Sequence, residues 1–314
     1  MPKLFFVIPC YNEENVLYST FDLFNNKLDS LIKKDLIASD SKILYVNDGS
    51  TDKTWEIIKN FVDKNDRVAA ISLNKNRGHQ NALLAGLMTA KEYADIVISI
   101  DCDGQDDINV SEDMVKCYNE GYDIVYGVRK ERKTDSFFKR TTALFFYKLC
   151  NALGAESVYN HADYRLMSKR ALNELEKYDE ANLYLRGTIP MLGFKSKIVY
   201  YDREARKGGN SHYSIFNMLA LAINGITNLS IKPIRIIFFA GLFIAMLCVI
   251  FIIYAIYRFF TGNTIGGWAS IVCALSFLSA VQLISIGIIG EYIGKIYIEV
   301  KHRPKYCISK IIGI

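Results

Sequence analysis

Two aspartates one residue apart, Asp101 and Asp103, close a β-rich run at Ile96–Ile100. Carboxylates at that spacing can share a divalent cation whose other ligands are diphosphate oxygens, since hard cations prefer oxygen donors. Such a cation stabilises a nucleoside diphosphate as charge builds on it during departure. An Asp-x-Asp turn alone is a weak signal, because any acidic turn supplies it. It gains weight from two polar clusters that end earlier β-rich runs, Cys10-Tyr-Asn-Glu-Glu14 and Asp48-Gly-Ser-Thr-Asp52.

The elements that position these clusters are legible to about residue 128. Leu4–Pro9, Lys42–Asn47, Val68–Leu73, Ile96–Ile100 and Asp123–Val128 are strand candidates, rich in Val, Ile, Phe and Tyr. Helix candidates fall between them near residues 13–34, 52–65, 79–92 and 111–119. This alternation predicts an α/β domain with a parallel sheet covered on both faces. In such sheets ligands bind beyond the carboxyl ends of the strands, which is where the three polar clusters lie. Residues 129–213 are less regular, with helix candidates at 136–153 and 169–177, a strand candidate at Lys197–Asp202, and a loop, Arg203–Asn210, dense in charge and glycine.

Of the 314 residues, 51% are hydrophobic, and the long uncharged runs all lie after residue 213. Ile236–Tyr257 is 22 residues without a charge, and Ile265–Gly290 is another 26. As a helix the first would measure about 33 Å, close to the hydrocarbon thickness of a bilayer. The second can span with tilt. The short link Arg258–Thr264 makes the pair a hairpin, flanked by Lys232 and Arg235 before it and by Lys295, Lys301, Arg303 and Lys305 after it. Positive charge stays inside, so both chain ends are expected in the cytoplasm of a multi-pass cell-membrane protein. Ser214–Ile231 carries Asn217, Asn224 and Asn228 along one helical stripe and apolar residues opposite, a pattern that suits the membrane interface. The expected division is 1–210 cytoplasmic domain, 211–231 interfacial helix, 232–290 two spans (about 234–258 and 265–290), and 291–314 cytoplasmic tail. Seven scattered cysteines without a CxxC pair suggest reduced thiols, and the apolar stretch before Pro9 is too short for a signal-peptide core. A net charge of +5, spread along the chain, gives no argument for a nucleic-acid partner.

Taken jointly, the motifs are specific. Val7–Glu14, Val46–Thr54 and the Asp-x-Asp cluster occur in order, followed by Asn76-Arg-Gly-His-Gln-Asn-Ala82 with Gly86, Tyr126–Arg129, Asp163-Tyr-Arg-Leu166, Arg206-x-x-Gly209-x-Ser211, Gly290–Gly294 and Arg303-Pro304. Over essentially its whole length the chain resembles the inverting family 2 glycosyltransferases. Within them it is similar to the branch of dolichol-phosphate mannose synthase and the bacterial polyprenyl-phosphate (bactoprenol) glycosyltransferases. The resemblance implies a GT-A-type, Rossmann-like, mostly parallel sheet, with the interfacial helix and two-helix hairpin following it.

It also implies roles. Pro9, Tyr11 and Glu13 match the loop that holds base and ribose, and Asp48 matches the acidic residue that hydrogen-bonds the base. Asn47 stands where many relatives have a second aspartate. Asp101, Asp103 and Gln105 match a pattern that binds Mg²⁺ or Mn²⁺, although Gly104 and Asp107 replace a usual leucine and proline. Arg129 and Arg140 match arginines that grip the acceptor phosphate, a task suited to a planar bidentate fork. Arg206 and His212 match basic residues of a loop that closes over the donor, with His212 in place of a frequent lysine. Asp163 matches an aspartate that is either general base or positioning residue. A phosphate monoester, with a second pKa of about 6, is already largely dianionic at cytoplasmic pH and requires little proton abstraction.

The implied reaction is inverting transfer of a hexose from a nucleotide-sugar, foremost UDP-glucose, to polyprenyl phosphate. GDP-mannose stays open as donor, as do undecaprenyl and dolichyl phosphate as acceptor and assembly into a homo-oligomer. A processive polysaccharide synthase fits less well, because Trp55 and Trp268 lie outside any QxxRW pattern. A catalytically silent nucleotide-sugar-binding membrane module is the rival from another class.

Overall fold

Burial follows the strand candidates closely. The computed structural model describes residues 1–130, 161–180, 184–202, 232–261 and 267–314. In it β1 (Leu4–Cys10), β2 (Lys42–Asn47), β3 (Val68–Leu73) and β4 (Ile96–Ser99) pair in parallel. β1, β3 and β4 are buried along their whole length. Helices cover both faces, which is why these strands read as apolar runs and not as alternating patterns.

Each strand returns through a helix: α1 (Leu17–Lys33), α2 (Thr54–Lys64), α3 (His79–Ala90) and α4 (Val110–Asn119). One face of the sheet, through Leu4, Phe6 and Ile8, packs on α1, α2 and α4. The other, through Phe5 and Val7, packs on α3. Gly86 lets α3 lie this close, since a Cβ there would sit 2.4 Å from Val7 Cγ1 and 2.6 Å from Val46 Cγ2. Gly86→Ala is therefore expected to cost about 1–3 kcal/mol through overpacking. Thermal unfolding of the detergent-solubilised protein measures this, and an unchanged midpoint would show that the contact yields freely.

Among the described residues the sheet has eight strands in the order β7-β5-β6-β4-β1-β2-β3-β8, mostly parallel as expected, with β6 and β8 antiparallel to their neighbours. β5 (Ile124–Arg129) pairs in parallel with β7 (Ser196–Tyr201). Between β5 and β4 runs β6 (His161–Ser168), antiparallel to both. Its register sets Ser99 opposite Arg165, so the start of β6 lies beside the carboxyl end of β4. Asp163 and Arg165 disguise this strand in the sequence, where charge in a central strand is not expected. Two short helices lie between β6 and β7: α5 (Lys169–Glu176), which matches its candidate, and α6 (Leu185–Met191), which contains Pro190 and was not anticipated.

Two long helices come next, α7 (Lys232–Phe260) and α8 (Trp268–Val300). α8 continues past the expected end at residue 290, with Lys295 3.9 Å from Glu291 one turn before it. Among the described residues one stretch is long and apolar enough to cross a membrane, Phe277–Val300, with 24 residues of mean hydropathy 1.5. The expected interfacial helix at 211–231 and the helix candidate at 136–153 lie outside the described residues.

The tail expected after residue 290 is not a free tail. β8 (Ile308–Ile312) runs antiparallel to β3 and, among the described residues, forms an edge of the sheet. Lys305 Nζ approaches it by donating to the Tyr178 carbonyl at 3.1 Å. A five-residue strand after a charged segment carries too little pattern to be read from sequence, and only the exposed edge of β3 explains it.

Candidate active site

The loops at the carboxyl ends of β1 and β2 interlock. Asn12, at φ 54°, receives a hydrogen bond on Oδ1 from the Thr51 amide at 2.9 Å, and its own amide donates to Ser50 Oγ. The Glu13 amide donates to Thr54 Oγ1 at 2.8 Å, the Glu14 amide to Asp52, and the Lys53 amide back to Glu14. Short polar side chains recur in both clusters because each satisfies a backbone amide of the other loop.

Asp48 ties in a third loop. Its two oxygens accept from the amides of Arg77 at 2.7 Å and Gly78 at 2.9 Å. Burial pushes this carboxyl up, and the two amides work against that. Gly49 turns beneath the same loop at φ +63°, where a Cβ would come within 2.5 Å of the Asn76 amide nitrogen. Asn47 donates from Nδ2 to Ser72 Oγ at 2.9 Å and accepts the Ser50 amide on Oδ1.

These loops surround a cavity of about 470 Å³. Pro9, Tyr11, Glu13, Asp48, Asp101, Asp103 and Asp163 all line it. Asp101 and Asp103 thus converge with the β1 and β2 loops, as the strand-end argument requires. Asp103 Oδ1 accepts the Gln105 amide, and between them Gly104 adopts φ +66°. A leucine there would be strained, so the departure from the family pattern agrees with the local backbone. Gln105 is 6% exposed, just beyond the cavity wall, and its amide caps the Asp103 carboxylate.

Arg129 also lies off the cavity lining. Its guanidinium contacts both oxygens of buried Asp106, at 2.9 and 3.3 Å, and Nε donates to Tyr201 Oη. Arg140, Arg206 and His212 lie outside the described residues.

Two residues join the site that the sequence reading gave no role. His79 Nε2 is 3.2 Å from Asp163 Oδ2 and 3.7 Å from Asp101 Oδ1. Arg186, on α6, donates to both oxygens of Asp163 at 3.2 and 2.9 Å. Asp163 further contacts fully buried Arg165. Burial alone would raise the Asp163 carboxyl, yet the His79 hydrogen bond and the two arginines hold it well below the usual range. Burial raises Asp101, and Asp163, Asp106 and Asp103 add to that against His79. His79 lay inside a quoted motif, and its place at the start of α3 was the available signal. Arg186 left no local trace, since only the antiparallel entry of β6 brings Asp163 to it.

Among the described residues the cavity is lined by five carboxylates (Glu13, Asp48, Asp101, Asp103, Asp163) against Arg186 and His79. A cation among these carboxylates would lessen their repulsion of an anionic ligand. No group of three or more His, Cys, Asp or Glu among the described residues is arranged to hold a metal. Asp101 and Asp103 therefore fit a hard cation as two of its ligands, with a phosphate-bearing ligand and water supplying the rest.

Comparison with known proteins agrees with this layout. The glycosyl transferase family 2 model matches residues 5–176, and the GtrB C-terminal hairpin model matches residues 232–296. An uncharacterized glycosyltransferase of Bacillus subtilis (strain 168), YkoT, is 53% identical over 308 residues, 98% of this chain and 91% of that protein. The bactoprenol glucosyl transferase of Shigella phage SfII is 37% identical over 313 residues, 98% of each chain. The prophage bactoprenol glucosyl transferase homolog of Escherichia coli (strain K12) is 35% identical over 314 residues, 98% of this chain and 99% of that one. Full-length kinship at these identities, with the strand-end site intact, establishes that the chain belongs to glycosyl transferase family 2 and is a glycosyltransferase with a GT-A-like fold.

Proposed function

We propose that the protein transfers a hexose from a nucleotide-sugar to polyprenyl phosphate with inversion, and that undecaprenyl phosphate and UDP-glucose are its substrates. The observation that carries this reading is the convergence of Asp101, Asp103 and Asp163 on one cavity at the carboxyl ends of the strands. The choice of substrates follows two full-length relatives named for glucosyl transfer to bactoprenol.

In this reading Tyr11 and Glu13 hold the base and ribose, with Asp48 fixing the loop against which the base rests. Bound at Asp101 and Asp103, Mg²⁺ or Mn²⁺ would neutralise the diphosphate and ease its departure. Asp163 positions and does not abstract a proton, because a carboxylate held well below its usual range is a poor base. The acceptor phosphate needs no base, being mostly dianionic near neutrality. Arg129 and Arg140 would receive that phosphate, with Asp106 orienting Arg129 from behind. Arg206 and His212 would close over the donor. In-line displacement then depends on positioning and leaving-group stabilisation.

The acceptor is a membrane lipid, and the chain's topology suits it. β1 and β8 belong to one sheet, so the chain between them crosses a bilayer an even number of times or not at all. Since Phe277–Val300 is apolar enough to cross, α7 is its natural return partner, as the GtrB hairpin match over 232–296 supports. The catalytic domain and β8 then share the cytoplasmic face of a multi-pass protein in the cell membrane.

The test is transfer from radiolabelled UDP- and GDP-sugars to undecaprenyl phosphate by detergent-solubilised protein with Mg²⁺ or Mn²⁺. A mild-acid-labile lipid-linked sugar formed from UDP-glucose is expected. Nucleotide-sugar binding without transfer from any donor would sink the enzymatic assignment for these substrates.

A further inference from the structure

Two cysteines 92 positions apart in the sequence are neighbours in the floor of the donor cavity. The parallel register of β1 and β4 runs Leu4↔Ile96, Phe5↔Val97, Phe6↔Ile98 and Val7↔Ser99. The Ile100 amide continues the ladder by donating to the Val7 carbonyl at 3.1 Å. β1 runs on to Cys10, while Cys102 lies in the turn two residues past Ile100, and there the two thiols interact side chain to side chain. Both belong to the apolar cluster on the α1 face, with Ile8 and Ile100 directly beneath them. Both also line the cavity, while being only 2% and 5% exposed. Thiols in contact across neighbouring backbone segments can be joined if their Cα atoms come within about 4.4–6.8 Å.

We propose that Cys10 and Cys102 form an oxidisable dithiol whose disulfide shuts the donor site. A peroxide small enough to enter the cavity oxidises one thiol to a sulfenic acid and is reduced to water (or to an alcohol, for an organic peroxide). The second thiol attacks that sulfur, the S–S bond forms, and a second water leaves. Two hydrogens are lost from the protein overall, and a dithiol reductant restores them by exchange. Closure follows from position. Cys102 sits between Asp101 and Asp103, and Cys10 between Pro9 and Tyr11, so the bond joins the acidic loop to the nucleotide loop. Bringing two thiols from van der Waals contact to a bond of about 2.05 Å moves the backbone that carries both carboxylates. A displacement near 1 Å at a reacting site costs on the order of 10²-fold in rate.

Two further free cysteines serve as internal references: Cys117 is buried on α4 and Cys307 is exposed. The full-length protein in detergent is treated with graded hydrogen peroxide, alkylated, and digested without reduction. A linked Cys10–Cys102 peptide is expected by mass spectrometry. Sugar transfer should fall tenfold or more in step with it and recover with dithiothreitol. Cys10→Ser and Cys102→Ser are each read as their own oxidised-to-reduced activity ratio, which should stay near one. Oxidation of Cys307 with no linked peptide would overturn the proposal, and so would a linked peptide with an unchanged activity ratio. The peptide readout needs no substrate, so its outcome is separable from failure of the proposed transfer reaction.

Discussion

Asp103→Asn and Asp101→Asn are each expected to reduce sugar transfer by at least about 10³-fold while leaving the protein folded, a scale set by the loss of one preorganised charge partner at a reacting centre. The two carboxylates stand on the cavity wall, not in the core, so neutralising either removes repulsion and leaves no buried charge unpaired. Asp101 is already pushed up by burial and by the acids around it. Asparagine in its place relieves that repulsion, so the thermal midpoint should hold or rise as activity disappears. Transfer assays across a Mn²⁺ titration, run beside thermal unfolding, separate the two effects. Retention of more than a tenth of wild-type transfer in Asp103→Asn would remove this pair from the donor site.

Asp163→Ala has the opposite profile, with loss of stability as well as activity. Arg165 is fully buried, and its Nε and Nη1 find no partner among the described residues, so it depends on Asp163 for its charge. Removing one member of a buried pair costs roughly 3–5 kcal/mol, because the other charge is stranded. For a domain of this size that lowers the unfolding midpoint by roughly 10 °C. Asp163→Asn should be milder in stability yet severe in transfer, since it keeps the shape and loses the charge that holds Arg186 and His79. The wild-type carboxyl also gives stability a pH signature. It ionises well below an unfolded aspartate, so between those two values the unfolded chain binds the additional proton. Its contribution is complete above about pH 4 and drains away as pH falls further. Acid titration of stability in wild type and Asp163→Asn measures this, and superposable curves would refute the depressed carboxyl.

Legibility in the sequence followed the local physics. β1 to β5 were readable because strands covered on both faces must be apolar throughout, and the turns between them are punctuated by Gly, Asn and Asp. The strand-end acids were readable for the same reason, being the polar residues at which each apolar run stops. β6 was hidden because Asp163 and Arg165 neutralise each other inside the sheet, and a pairwise compensation between residues 163, 165, 79 and 186 has no linear pattern. α6 was hidden by Pro190, which ordinarily argues against helix. The family resemblance gave Arg129 to a phosphate, and in the folded chain Asp106 and Tyr201 also bind it, a partnership with no local trace in the sequence. Likewise Cys10 and Cys102 looked scattered until the fold brought their side chains together.

The strand β8 bears on how this chain is made. It leaves the ribosome more than two hundred residues after β3, whose edge it pairs with. Until it arrives, β3 presents unpaired amides and carbonyls to any other extended chain. The catalytic domain therefore waits for α7 and α8 to be synthesised before its sheet is finished. A chain cut short between the two helices keeps that unpaired border, and is expected to aggregate more readily than the chain that carries β8.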